Sequence, residues 1–277
     1  MLKVAVVGSG YWGKNLVRNL HTLGALGAIC DTDPEVLESF KQMYKEIPTI
    51  KDFTDLLEDS APIVDALAIA TPAETHYELT RKGLLAGKHV LVEKPLALTV
   101  SDGLELAELA EEEELNLMVG HVLHYHPAVI KLKELVDSGE LGKIQYLYSM
   151  RLNMGKIRAE ENILWSFAPH DISVILMLLD EVPATVHATG GSYLQEQVPD
   201  TTLTTMDFAS GVKAHIFVSW LHPFKEQKLV VVGDKRMAVF DDLCEEKLLL
   251  YPHQIQWVKR IPVAAKAESE VVAVDMK

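Results

Sequence analysis

The sequence predicts a chain of two parts: an α/β domain with a parallel sheet and crossover helices over residues 1–120, then an α+β domain with an open, mainly antiparallel sheet over residues 121–277. Three observations carry this. A strand-like run enters a glycine-rich turn and then a helix at the N-terminus. Short apolar runs alternate with helical segments up to residue 120, as in a parallel sheet with crossover helices. Past that point the runs lengthen and alternate polar with apolar, the pattern of neighbours in an antiparallel sheet.

The elements follow in order. Val4 to Val7, Leu26 to Cys30, Ala66 to Ala70, Val90 to Glu93 and Leu117 to Val119 read as the parallel strands. The first helix runs from the glycine turn through Leu20. Asp33-Pro34 is an N-cap followed by the first helical position, ahead of a helix over Glu35 to Lys45. Thr71-Pro72 opens another helix that ends near Gly87. After a helix over His126 to Ser138 come Ile144 to Asn153, Thr185 to Tyr193, Thr201 to Phe208, Val212 to Ser219 and Lys228 to Val232 as strands. Between them Pro169, His170 and Asp171 begin an apolar, buried helix over Ala168 to Leu179.

Composition removes several classes of function. Lys and Arg number 26 against 40 Asp and Glu, a formal charge of −14, so neither nucleic acid nor an anionic membrane is the expected partner. Apolar stretches such as Val174 to Leu179 fall far short of the roughly 18–20 residues that cross a bilayer. The N-terminal apolar run stops at Gly8-Ser9-Gly10, without the core and cleavage site of a signal peptide. Cys30 and Cys244 form neither a disulfide framework nor a cysteine metal site, and a reducing cytoplasm is the expected compartment.

The chemistry begins at Val7-Gly8-Ser9-Gly10-Tyr11-Trp12-Gly13. In a dinucleotide turn Gly8 permits the tight bend, Gly10 lets the backbone approach a pyrophosphate and Gly13 lets the helix close on the strand. Helix N–H groups then face the phosphates. Asp31 stands 18 residues after Gly13, near the roughly 20-residue offset of the acid that binds the adenosine ribose. It predicts NAD. No Arg or Lys follows until Lys41, so a 2′-phosphate would meet uncompensated negative charge. Farther on, Glu93-Lys94-Pro95 places a lysine at the carboxyl end of a parallel strand, where open α/β sheets bind ligands.

The glycine turn, Ala70-Thr71-Pro72 with His76, and Gly87-Lys88-His89-Val90 running into Glu93-Lys94-Pro95 together resemble the glucose-fructose oxidoreductase and inositol dehydrogenase family. The resemblance covers almost the whole chain. It implies a Rossmann domain followed by an open α/β domain whose sheet mediates a homodimer or homotetramer. It implies that Ala70, Thr71, Pro72, His76 and Glu93 line the cofactor, and that Lys94 is catalytic at a sugar or polyol carbon. Relatives usually continue past Val274-Asp275-Met276-Lys277, so a closing C-terminal segment is expected beyond the sequence.

Many relatives carry Asp-x-x-x-His where this chain has Ser166-Phe167-Ala168-Pro169-His170. His170 keeps the implied general-base position, and an ordinary pKa near 6.5 suits that task. The acid at 166 is Ser, which leaves Asp171 as the candidate orienting partner; the alternative is that His170 caps a buried helix. His121, His124 and His126 lack a nearby Cys or carboxylate before Glu134 and are read as no metal site. His121 and Tyr125 are instead expected to face nicotinamide and substrate.

The expected reaction is oxidation of a secondary hydroxyl, or the reverse ketoreduction, with His170 or Lys94 taking the proton and Lys94 stabilising the alkoxide. Residues 162–171 most resemble members acting on nucleotide-activated sugars, UDP-N-acetylglucosamine 3-dehydrogenases among them. Lys143, Arg151, Lys156 and Arg158 form an acid-free basic run between Glu140 and Glu160, and Arg151 and Arg158 are the expected diphosphate ligands. The alternative for that run is pairing with acids elsewhere or an oligomer contact. Two other functions stay open: a free-sugar or inositol dehydrogenase, and a NAD-binding regulatory protein without turnover.

Overall fold

Val4–Val7 is buried at all four positions, so both faces of its sheet are covered and the strand reads as an unbroken apolar run. The computed structural model describes residues 2–58, 64–155, 157, 161–252, 254–265 and 268–276. It divides into two units, Met1–Gly120 and His121–Lys277.

In the first unit the strands are β1 (Val4–Val7), β2 (Leu26–Cys30), β3 (Thr49–Ile50), β4 (Ala66–Ile69), β5 (His89–Val92) and β6 (Leu117–Val119). Their order is β3-β2-β1-β4-β5-β6, every pair parallel. This is a Rossmann sheet, and its strand order reverses between β1 and β4. The helices are α1 (Gly13–Thr22), α2 (Pro34–Met43), α3 (His76–Leu85) and α4 (Val100–Glu112). Alternation along the strands splits the core in two. Val4 and Val6 pack with Val17 of α1 and Leu37 and Phe40 of α2. Ala5 and Val7 pack with Leu84 of α3 and Leu106 and Ala110 of α4.

Asp33 caps α2 as its sequence suggests, accepting from the Glu35 N–H at 2.8 Å with Pro34 at the first helical position. The strand β3 was absent from the sequence reading. Two residues long, it carries no periodic signal, and its pairing with Ile29 and Cys30 is a tertiary event.

The second unit opens with a 3-10 turn at Val122–Tyr125 and the helix α5 (Pro127–Asp137), then β7 (Ile144–Leu152) and α6 (Ile163–Leu179). Strands β8 (Thr185–Gly191), β9 (Thr201–Asp207), β10 (Lys213–Ser219), β11 (Glu226–Gly233), β12 (Met237–Asp241), β13 (Leu248–Tyr251), β14 (Gln254–Val258), β15 (Ile261–Ala265) and β16 (Glu270–Val271) follow. Eight of them form one sheet in the order β16-β13-β12-β11-β7-β10-β9-β8. Its pairs are antiparallel except β7 with β10. The β14–β15 hairpin stands apart from that sheet. One face of the large sheet is covered by α5 and α6, through Ala128, Leu132, Ile163, Val174 and Ile175 against Leu147, Ile216 and Val231. The other face leaves Tyr146 and Leu203 exposed.

Two readings of α6 require correction. The helix begins at Ile163, not Ala168, because the Asn162 side chain accepts from the Trp165 N–H at 3.1 Å and caps it; Pro169 lies inside the helix. A proline there removes one backbone donor and is normally costly, so the packing of Ile163 and Ala168 outweighs the local preference. Nor is α6 buried all round: Ile163, Asp171, Val174, Ile175 and Leu178 form a buried stripe at helical spacing, while Trp165 is exposed.

Candidate functional site

In the first unit the named residues gather at the carboxyl ends of the parallel strands, the edge where such sheets bind ligands. Gly8 follows β1 with φ 83°, and a Cβ there would stand 2.8 Å from the Thr71 N. Gly13 opens α1, and its Cβ would fall 1.8 Å from the Gly8 carbonyl oxygen, so the loop can close only on glycine. At Gly10 a Cβ would meet nothing within 4 Å, leaving the backbone open to a ligand. The N-terminus of α1 has no side-chain cap and no acid in its first turn. Its positive dipole end therefore suits a pyrophosphate.

Ser9, Gly10, Tyr11 and Trp12 make up this loop. Asp31, one residue past β2, accepts from the Ser9 N–H at 2.7 Å and the Asp33 N–H at 3.0 Å. The acid thus both fastens the phosphate loop and presents a carboxylate beside it, with no cation before Lys41. Cys30 next to it is buried, and burial and the nearby Asp31 push its thiol up to about 12, which makes it inert as a nucleophile.

Beside the phosphate loop stands a wall built from β4, β5 and β6. Ala70 donates to the Val7 carbonyl at 2.8 Å and leads into Thr71-Pro72. Glu93 donates its N–H to Ile69 at 2.9 Å, and its carboxylate accepts from the Trp12 indole N–H. Burial pushes the Glu93 carboxyl above its ordinary range, against the opposing pull of the Trp12 and Lys94 N–H donors and of the Lys94 and His76 charges. Lys94 follows directly, half-buried, ahead of a cis peptide to Pro95. Two contacts here escaped the sequence reading. Trp12 reaches Glu93 across 81 residues of chain, and a Cβ on Gly120 would come within 2.9 Å of the Glu93 carboxylate. Only the pairing of β5 with β6 brings the second about.

In the second unit Ser166 and His170 lie one turn apart on α6, on the same face. Ser166 is buried and His170 half-buried. Asp171, the candidate partner for His170, points elsewhere: it accepts from Ser149 Oγ at 2.6 Å and from Arg151 Nε at 2.8 Å and Nη2 at 3.3 Å. Consecutive helix residues do not face each other, which is why adjacency misleads here.

The same contacts engage Arg151, one of the expected diphosphate ligands, with a carboxylate of the chain itself. Its side chain is 10% exposed and its charge is met by Asp171. Gln227, opposite Arg151 in the β7–β11 register, accepts from Arg151 Nη1 at 3.1 Å and donates to Asp242 at 2.8 Å in the orientation its neighbours require. Asp242 in turn faces His126 Nε2 at 3.6 Å. Arg158 lies outside the described residues, as does Lys156.

The three clustered histidines separate. His121 and His124 stack at 5.6 Å between centroids, whereas His126 caps α5 through the Ala128 N–H and packs edge-on to Phe240 at 5.1 Å. Burial holds His126 below its ordinary range, in keeping with an Nδ1 that accepts. Among the described residues no group of three or more His, Cys, Asp or Glu side chains is placed to hold a metal. Tyr125 is exposed on the turn that follows His121. No described helix is long and apolar enough to cross a membrane.

The parallel six-stranded sheet carries the glycine turn, Asp31 and Lys94 at one edge, an arrangement that fits a dinucleotide-binding protein. The chain belongs to the oxidoreductase family with an NAD-binding Rossmann fold, which matches residues 2–121, and its second part matches the GFO/IDH/MocA C-terminal domain over residues 129–239. Among its relatives is the 2,7-anhydro-N-acetylneuraminate hydratase of Escherichia coli, 26% identical over 87% of this chain and 68% of that protein. The myo-inositol 2-dehydrogenase of Thermotoga maritima is 27% identical over 91% of this chain and 79% of its own length. The UDP-N-acetylglucosamine 3-dehydrogenase of Acidithiobacillus ferrooxidans is 25% identical over 87% of this chain and 74% of its own. A solved structure of that enzyme superposes with a TM-score of 0.85 over 100% of this chain and 84% of the other, at 24% identity, which shows the shared fold.

Replacing Asp31 with Ala is expected to narrow the preference for NAD over NADP by about tenfold, roughly 1.4 kcal/mol. Affinity for NAD should fall at the same time, because the Ser9 N–H loses its acceptor. Parallel titrations of both cofactors check this, and wild-type protein that binds NADP more tightly would remove Asp31 from the ribose site.

Proposed function

We propose that this protein is a NAD-dependent dehydrogenase acting on a secondary hydroxyl of a nucleotide-activated sugar, of the UDP-N-acetylglucosamine kind at C3, or reducing the corresponding ketone. The observation that carries the reading is Lys94, set on the cofactor edge of the sheet next to an anchored Glu93. NAD, when bound, supplies the hydride acceptor. Lys94 places positive charge where an alkoxide develops, the kind of preorganised electrostatics that dominates many enzymes. His170 or Lys94 takes the hydroxyl proton, with Ser166 beside His170 on α6, and Tyr125 and His121 serve substrate and nicotinamide.

The nucleotide-sugar class is supported by the Acidithiobacillus relative. With Arg151 engaged by Asp171, the diphosphate contact passes to Arg158 in this reading. A free-polyol substrate is the second reading, supported by the Thermotoga inositol dehydrogenase and its longer matched span. The same proposal makes the protein a homodimer or homotetramer through the uncovered face of the large sheet, near Tyr146 and Leu203.

Competition with UDP separates the substrate classes. UDP should raise the apparent KM for UDP-N-acetylglucosamine without altering the apparent Kd for NAD, and Arg158→Ala should weaken that competition. Rapid turnover of myo-inositol or glucose with no inhibition by UDP would replace this substrate class with the free-polyol one. NAD binding with no turnover of any of these would leave a regulatory protein.

A further inference from the structure

We propose that His76 is a positioning residue, a doubly protonated imidazolium that ties the Thr71 carbonyl to the Pro95 carbonyl and thereby holds Lys94 at the cofactor edge. The proposal rests on the reading of Lys94 as the charge-stabilising group.

His76 is the first residue of α3 and is 1% exposed. It therefore offers no surface to a ligand, although the family resemblance counts it among cofactor-lining residues. Its Nδ1 lies 2.6 Å from the Pro95 carbonyl oxygen and its Nε2 lies 2.9 Å from the Thr71 carbonyl oxygen. Both partners are carbonyl oxygens, which accept and cannot donate. A neutral imidazole carries one N–H, so it would aim its second nitrogen's lone pair at an oxygen lone pair. Such a clash inside a buried wall costs the penalty of an unmet acceptor. A ring bearing two N–H groups serves both.

The charge this requires has a counterpart in place. Glu93 is the carboxylate on the same wall; burial pushes it above its ordinary range, and the charges of Lys94 and His76 oppose that rise. The ring also joins the two segments that matter. Thr71 follows β4 in the Ala70-Thr71-Pro72 turn, and Pro95 follows Lys94 after β5.

Lys94 is consequently pinned on both flanks. On one side Glu93 is fixed through Ile69, Trp12 and the close approach of Gly120. On the other, Pro95 is fixed by His76. A lysine has four rotatable side-chain bonds, and its usefulness at a reacting oxygen depends on where its backbone is held.

The first test is spectroscopic and uses the unaltered full chain with NAD bound and its histidines labelled with 15N. Both ring nitrogens of His76, identified by their loss in His76→Gln, should resonate at the protonated position at neutral pH. One nitrogen at the unprotonated position would overturn the imidazolium.

The second test reads Lys94 directly, by reductive 13C-methylation of lysines, which keeps their charge. The Lys94 signal, identified by its loss in Lys94→Arg, should shift or broaden in His76→Ala and return toward its wild-type position in His76→Gln, which restores donors at the site. An unchanged Lys94 signal in His76→Ala would overturn the positioning role. With UDP-N-acetylglucosamine as probe substrate, His76→Ala should lower kcat about 100-fold, the scale of a misplaced catalytic group, while the Kd for NAD changes less than about threefold. Equal losses in NAD affinity and kcat would mark a merely structural residue. If Lys94→Ala itself keeps full turnover, the reading of Lys94 fails, and the two spectroscopic results still decide His76.

Discussion

Lys94→Ala is expected to lose turnover by about 10²- to 10⁴-fold, the usual worth of a positioned acid, base or charge at the reacting group, while binding NAD with near wild-type affinity. The expectation follows from where the residue stands. In the proposed reading the glycine loop, the uncapped start of α1 and Asp31 hold the cofactor, and Lys94 is assigned to the reacting end. His170→Ala should behave alike, with kcat falling far more than NAD affinity. Steady-state kinetics on UDP-N-acetylglucosamine together with a direct NAD titration separates the two quantities. Near-normal turnover in Lys94→Ala would break the assignment of the sheet-edge lysine. A parallel loss of NAD binding would turn it into a cofactor ligand.

A second large effect is expected on stability. Arg151 and Asp171 are 10% and 6% exposed in their side chains and meet through two hydrogen bonds. Removing one partner of a buried ion pair leaves an uncompensated charge and typically costs roughly 3–5 kcal/mol. Arg151→Met and Asp171→Leu should each destabilise the second unit by that order in urea unfolding. The double variant should recover much of the loss, because apolar replacement of both partners is often neutral or better. Ser149 and Gln227 add to the cost of the single changes, since each bonds one of the two charges. If Arg151→Met instead unfolds like wild type and raises only the KM for a nucleotide sugar, the guanidinium is a phosphate ligand after all.

That contrast marks where the sequence is legible. The first unit could be read almost strand for strand because Gly8 and Gly13 of its turn meet steric demands visible in the motif, and because strands buried on both faces appear as continuous apolar runs. Lys94 was legible for the same reason: a motif at a strand end has a position as soon as the strand is recognised. Arg151 was not. Charge counting finds a basic run but no partner, and the acid that meets this arginine arrives 20 residues later from a helix packed on the sheet. The alternation of Ser149 and Arg151 along β7 does put both on one face, the signal that would have suggested a shared partner. The start of α6 was misplaced because Pro169 is a strong local punctuation mark, and the Asn162 cap that overrides it takes effect only once Ile163 is buried. Strands β12 to β16 were missed because they are short and depend on neighbours far along the chain.

Transfer of the hydrogen itself tests the central claim most directly. UDP-N-acetylglucosamine carrying deuterium at C3 would be incubated with the protein and NAD, and the reduced cofactor recovered and weighed by mass spectrometry. The account predicts deuterium in the reduced cofactor, slower reduction than with unlabelled sugar, and neither signal in Lys94→Ala. Reduced cofactor that carries no deuterium, or no reduction with this sugar alongside brisk reduction with myo-inositol, would contradict it.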